Sequence, residues 1–562
     1  MKLPRSFKRG ASLLAALALG ATLTTGCGDQ DEFIAIGNFQ QAPVAANDTI
    51  TALGNATLNQ AVGNGVLVND AVNGGAITAF DAASTQGGVV VLNADGSFSY
   101  TPPFGFTGTD TFTYTLTNGL GTSTGTVTLN VNNSGWFVDN SGANGNGSQA
   151  TPFNNLASAI AAAGNGDTIF VFRGDGTNNN LAGAVNLPAG VNLVGEGAGL
   201  VLAQTIVAQG NAPTITGPVI CGGNNTISGF LFDGGGANQD AIQANDVSNL
   251  TVINNTFRNS QFTHMDLGNL GGTVVITDNT LEPTDGDESF IDIINKDTSG
   301  TYTISNNSFT DDAANDPSEG VRFDLAGTGS ATITMDGNTF VSDNAAANSF
   351  DDAIEIDAYD DGQIAIMLTN NTFTNVGGSA IDADANGNNA GLTGTVSGNS
   401  TTGSDDNGLE FDAFGGTVDV TVSNNMVINS GQGGIDMDAD GSGGSMTAVV
   451  SGNTVTGTAG DHAFELETVA NSTGTIALRN NTLTGSKTFS VNVFNQGTTC
   501  LDITGNTVDD DMTFNANAGA INVERLDAGT GGPLDVVNTF NAGVVNTVGT
   551  VTAQNAGFCA IP

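Results

Sequence analysis

Ten carboxylates recur in pairs along this chain at a spacing that suits the binding of cations. They stand in five phrases of alternating apolar and acidic residues: Ile354-Glu355-Ile356-Asp357, Ile381-Asp382-Ala383-Asp384, Leu409-Glu410-Phe411-Asp412, Ile435-Asp436-Met437-Asp438 and Phe464-Glu465-Leu466-Glu467. The second acid of each pair follows the previous one by 27, 28, 26 and 29 residues. Residues two apart on a strand share a face, so with Ile354 and Ile356 turned inward, Glu355 and Asp357 both point out. If successive phrases stack at the ordinary strand spacing of about 4.8 Å, the acids form two columns. Neighbours in a column then repel by roughly 0.9 kcal/mol even at the dielectric of water. Eight such contacts amount to a large part of a typical folding free energy. Calcium or a comparable divalent cation, which prefers oxygen ligands, offsets that repulsion, and the ten acids are therefore read as a candidate metal site. The plainer reading is a solvated face whose charge keeps a long β surface soluble and blocks sideways sheet association. A third is a carboxylate pair flanking a glycosidic bond, although acids are too abundant here to single out one pair.

The elements that must position these acids are visible in a second repeat. A turn residue, Asn, a hydroxyl residue and an apolar one recur in twelve copies, some of them weaker, with Asn at 225, 255, 279, 307, 338, 371, 399, 425, 453, 481, 506 and 538. The spacing runs from 24 to 33 and averages 28.5, which is the signature of a solenoid. Before each Asn, apolar and polar residues alternate, as in Ile366 and Leu368 or Val420 and Val422, a strand pattern. With the acidic phrase this makes two strands per coil and no helix-length segment between them, hence a parallel β-helix. Eleven intervals give a rod on the order of 50 Å long. In eleven copies the residue before the Asn is Asn, Asp or Gly, types that tolerate the left-handed backbone of a sharp corner. Two positions after the Asn an apolar residue returns to the core, Thr401 being the exception, and the recurring Asn-x-Thr is read as corner chemistry rather than as glycosylation sites.

Charge removes several function classes. Of 11 basic residues, four precede position 10, and the seven that remain are scattered against 56 acidic ones. No basic stripe exists for nucleic acid or another polyanion. Cys221, Cys500 and Cys559 are too few for a disulfide framework and lack metal-ligand spacing. Cys500 and Cys559 could bridge the C-terminal cap in an oxidising compartment, and Cys221 reads as a small buried hydrophobe. His264 and His462 are the two histidines, each expected as an ordinary surface or turn residue, with metal ligand or proton shuttle as the alternative.

The N-terminus begins with Lys2, Arg5, Lys8 and Arg9, an apolar run from Ala11 to Leu23, then Gly26-Cys27, an export signal. Leu23-Thr24-Thr25-Gly26-Cys27 resembles the signal of a bacterial lipoprotein, with Thr24 where the family has Leu. That resemblance implies removal of residues 1–26, lipidation of Cys27 and, with Gly28 next, passage to the outer membrane. Residues 27–42 read as a tether. From Pro43 to Val131 short strands alternate with close turns, including an Asp95-Gly96 hairpin signal, which fits a β-sandwich over 43–132. Asn47-Asp48, Val66-Leu67-Val68-Asn69-Asp70, Asn93-Ala94-Asp95-Gly96-Ser97-Phe98 and Gly108 to Tyr114 resemble bacterial cadherin-like or Ig-like repeats of surface proteins. The family's acidic run after Asp70 is replaced by Ala71-Val72-Asn73-Gly74-Gly75.

Trp136-Phe137-Val138-Asp139, Thr151-Pro152-Phe153 and Gly166-Asp167-Thr168-Ile169-Phe170-Val171 are similar to the opening of pectate-lyase-like right-handed parallel β-helix proteins. Between them Phe153, Leu156, Ala157, Ile160 and Ala161 follow helical spacing, giving a cap helix over about 152–163 with Thr151 as N-cap and Pro152 in its first turn. The expected chain is all-β: an Ig-like sandwich, then a right-handed parallel β-helix with its cap helix over 135–562. The resemblance implies fold more than activity, since lyases, hydrolases, adhesins and inert rods share it. No Arg/Lys cluster suits polyuronate lyase chemistry, and the polygalacturonase-like His-Gly and Arg-Ile-Lys elements are absent. The preferred expectation is a non-enzymatic surface lipoprotein, held to the membrane by its lipid. Its acidic rod then contacts polysaccharide or cell-surface matrix. The alternative is a polysaccharide-active enzyme.

Overall fold

The computed structural model describes residues 40–202, 204–234, 239–283, 288–311, 319–342, 350–460, 462–525, 539–540, 545–555 and 559. The export signal, Cys27, most of the tether and Asn538 lie outside the described residues.

Alternation of apolar and polar residues builds the coils as expected, but each central coil carries three strands rather than two. One coil consists of Asp352–Tyr359, Gln363–Thr369 and Thr372–Thr374, and the next of Ile381–Asn386, Gly391–Ser397 and Ser400–Thr402. The third strand is the tail of the Asn phrase itself. It is two to four residues long, too short for period two to be seen. Thirteen of these short strands form a sheet of their own, from Thr214–Ile215 to Thr539–Phe540. All pairings within it are parallel and in register, so like residues meet. Phe309, Phe340 and Phe373 stack with centroids 4.3 and 5.2 Å apart. Thr401 occupies the next place in that stack and is buried, its hydroxyl without a hydrogen-bond partner among the described residues.

The corners follow the residue types. Asn224, Asn254, Asp278, Asn306, Asn370, Asn424 and Asn480 have φ between 53° and 57°, and Gly337, Gly398, Gly452 and Gly505 have φ between 67° and 70°. The Asn that follows each of them does more than turn the chain. From Asn255 to Asn481 each side chain donates through Nδ2 to the Oδ1 of the Asn one coil on, at 3.0 to 3.2 Å, and that same Oδ1 accepts the preceding Asn's backbone N–H. These amides are buried, in keeping with corner chemistry.

A helix, Leu156–Ala162, packs Leu156 and Ala159 onto the first coils. Its N-cap is Asn155, whose Oδ1 accepts from Ser158 N at 2.8 Å, so the helix starts four residues later than expected and Thr151 instead bonds Ser148 and Asn146 in the preceding turn. The strand Gly121–Val138 joins the two parts of the chain. It pairs antiparallel with Gly108–Asn118 in the N-terminal β domain and parallel with Thr168–Val171 in the first coil. Trp136 lies in this join, stacked on Phe153 and edge-on to Phe104. At the other end Cys500 and Cys559 form a disulfide, and Cys221 is buried and free.

Candidate functional site

Register decides which acids meet. Glu355 pairs with Asp382, Asp382 with Glu410 and Glu410 with Asp436. Asp357, Asp384, Asp412, Asp438 and Glu467 pair in the same manner beside them. Glu465 follows Asp436 in the first column, since Ile435 pairs with Phe464. All ten acids therefore fall in two adjacent columns. The columns also run further towards the N-terminus than the sequence reading took them: Asp266 pairs with Asp292, Asp292 with Arg322, and Arg322 with Glu355, while Asp324 precedes Asp357. Met265-Asp266-Leu267 and Ile291-Asp292-Ile293 carry the same apolar-acid-apolar signal, in single copy per coil.

The face is recessed, which corrects the picture of a freely solvated surface. Asp357 is 6 % exposed, and the Asp436 side chain 15 %. Polar neighbours close over the acids. Ser379 Oγ donates to Glu410 at 2.7 Å, Asn407 Nδ2 to the same carboxylate at 3.1 Å, Asn386 and Tyr359 each to Asp357 at 2.8 Å, and Asn492 to Glu465 at 2.5 Å. Cationic partners are few. Arg322 bonds Asp324 at 2.7 Å and lies 3.8 Å from Glu355.

Burial and like charge act together on these groups. Desolvation, reinforced by Glu319 and Asp357, pushes Glu355 up to about 8. Desolvation, with Asp384 and Asp438, pushes Asp412 up to about 10. The adjacent Asp382 and Asp384 are both raised, burial leading, and so are Asp436 and Asp438. One buried oxygen on each of Asp292, Asp324, Asp382, Asp384 and Asp436 accepts no hydrogen bond among the described residues. Such a stack has two chemical outlets: it holds protons, or it holds cations.

Neither histidine is on the surface: His264 stands at a bend and His462 heads a strand, and both are buried. His264 is wholly buried, with Nδ1 2.8 Å from Ser260 Oγ and Nε2 2.7 Å from the Glu282 carbonyl oxygen. Burial pushes it down to about 4, so it is a neutral core residue. His462 is 9 % exposed and stands between Asp436 and Glu465, its Nδ1 2.7 Å from Glu465 and its Nε2 3.5 Å from Asp436. The signal was present, since His462 lies three residues before Glu465 at the head of an acidic phrase.

In the N-terminal domain the residues behind the cadherin-like resemblance form a small network. Asp70 accepts from Tyr114 OH at 2.8 Å and from Ala46 N at 2.7 Å. Burial and the nearby Asp70 push Asp48 up to about 6. Comparison with curated proteins and with solved structures returns no match. Comparison with protein families matches residues 40–133 to the bacterial cadherin-like domain.

Proposed function

We propose that this chain is a non-enzymatic lipoprotein anchored at the bacterial cell surface through Cys27, in which a cadherin-like spacer carries an acidic β-helical rod. The rod binds calcium or a similar divalent cation along its acid columns, and so serves adhesion or contact with anionic glycans and matrix. The observation that carries this reading is the in-register stack of recessed carboxylates with unpartnered buried oxygens at Asp382, Asp384 and Asp436. A divalent cation supplies the ligand these oxygens lack and removes the repulsion between neighbours about 4.8 Å apart. The export signal and the cadherin-like segment support a surface location. The test is a calcium titration of the full chain and of the D382N/D384N double variant by calorimetry or equilibrium dialysis. Saturable calcium binding that weakens at least tenfold in the variant is expected. No saturable binding in the millimolar range, which extracellular calcium modules reach, contradicts the reading.

A second reading is favoured by a different observation. Glu355 and Asp412, pushed up to about 8 and about 10, stay protonated at neutral pH, which is the state of a glycosidase's general acid. Screening a glycan panel for new reducing or unsaturated ends separates the two, and robust turnover overturns the non-enzymatic reading.

A further inference from the structure

One place on the acidic face offers a nitrogen ligand. We propose that His462 Nε2, Asp436 and Asn407 Oδ1 form a binding site for a single borderline transition-metal ion of the zinc type, which shares Asp436 with the first acid column but differs from the oxygen-only columns in its donor chemistry.

The imidazole of His462 is held in one orientation. Glu465 lies 2.7 Å from Nδ1, and a carboxylate there fixes the proton on Nδ1 and turns the Nε2 lone pair away from it. Nε2 is buried, has no hydrogen-bond partner among the described residues, and faces Asp436 Oδ2 at 3.5 Å. That separation is close to the edge of a tetrahedron with metal–ligand bonds of about 2.1 Å, which is about 3.4 Å.

Asn407 supplies the independent observation. The residue is 5 % exposed, and its Nδ2 is occupied by Glu410 at 3.1 Å and Asp436 at 3.4 Å. Its Oδ1 is thereby turned to the other side, where it has no hydrogen-bond partner among the described residues. Gly433 shows where it points. A Cβ at that position would lie 2.3 Å from His462 Nε2 and 2.5 Å from Asn407 Oδ1, so the two atoms lie within 4.8 Å of each other over bare backbone. Asp436 Oδ1 is a further buried oxygen without a partner. A nitrogen, an amide oxygen and a carboxylate thus converge with free lone pairs, and Glu465 stands behind the imidazole as its orienting carboxylate.

Imidazole nitrogen is a poor ligand for calcium and a good one for zinc, cobalt or nickel, so this donor set selects a different ion from the columns. A proton competes for the same place. Metal binding accordingly releases protons and tightens as pH rises.

The test is titration of the full chain with Co2+ and Zn2+ in excess calcium, read by Co2+ visible absorption and by calorimetry in buffers of different ionisation enthalpy. One equivalent is expected, with proton release. Losing a direct ligand in H462Q should exceed the 10–100-fold loss typical of an orienting partner, and E465Q should fall within that range. G433A keeps every ligand but places a methyl group against two of them, and should also abolish binding. D419N, on the exposed face of the strand Thr417–Ser423, should leave it unchanged. Wild-type affinity no higher than that of H462Q, or full affinity in G433A, overturns the proposal and leaves His462 as an imidazolium counter-ion. A calcium titration of H462Q reads the columns separately, so the two proposals fail independently.

Discussion

At the scale of single residues, the Asn ladder is what holds the corners in place. Asn371 donates to Met335 O and to Asn399 Oδ1, both at 3.0 Å, and accepts from the backbone and side-chain nitrogens of Asn338, both at 3.0 Å. Replacing it with Ala leaves those two buried Asn338 donors without their acceptor. The expected cost is about 2–5 kcal/mol, read as a lower urea midpoint with little change in slope. The sequence placed Asn at each corner but could not place its amide, because a turn-forming Asn and a buried, stacked Asn are the same letter. Neighbours one coil away, 24 to 33 residues distant, decide between them. The surroundings of His462 were hidden for the same reason. Its place before Glu465 was visible, but Gly433 on the neighbouring strand and Asn407 in a loop meet it only in the fold.

At the scale of the element, the acidic strand was legible in its alternation and its period, and both acid columns follow from those two features. Their depth was not legible, since it depends on Ser379 and Asn407 in flanking loops, Asn386 on the next coil and Tyr359 two residues along the strand from Asp357, which together close over the carboxylates. Depth has a measurable consequence. A carboxyl whose folded pKa lies above its unfolded value binds more protons in the native state between the two, so stability falls as pH rises through that window. For Glu355 the window runs from 4.5 to about 8, and for Asp412 from 3.8 to about 10. In chelator, melting temperature should therefore decrease from about pH 5 to about pH 9, the reverse of a protein held by ionised acids. D412N, which cannot ionise, should flatten the upper part of that decline. The third strand of each coil was not legible at all, because two to four residues carry no periodicity.

At the scale of the whole molecule, a solenoid's coils touch only their neighbours, so stability is local along the rod. The Cys500–Cys559 disulfide closes a 59-residue separation at one end, worth about 4 kcal/mol on a chain-entropy account. Reduction should lower amide protection in the last coils and leave the strands around Thr168–Val171 unchanged, as read by hydrogen exchange. The other end is tied through the continuous strand Gly121–Val138 to the cadherin-like segment. Between these two ends the acid columns form a single feature with few cationic partners among the described residues, and the proposed role of the rod depends on whether cations complete it. The most direct measurement is thermal unfolding of the full chain near pH 8 in chelator and in excess calcium, alongside D382N/D384N. The account predicts that calcium raises the wild-type melting temperature by several degrees, and that the double variant is more stable than wild type in chelator yet gains less from calcium. A wild-type melting temperature indifferent to calcium, with the double variant no more stable in chelator, contradicts it.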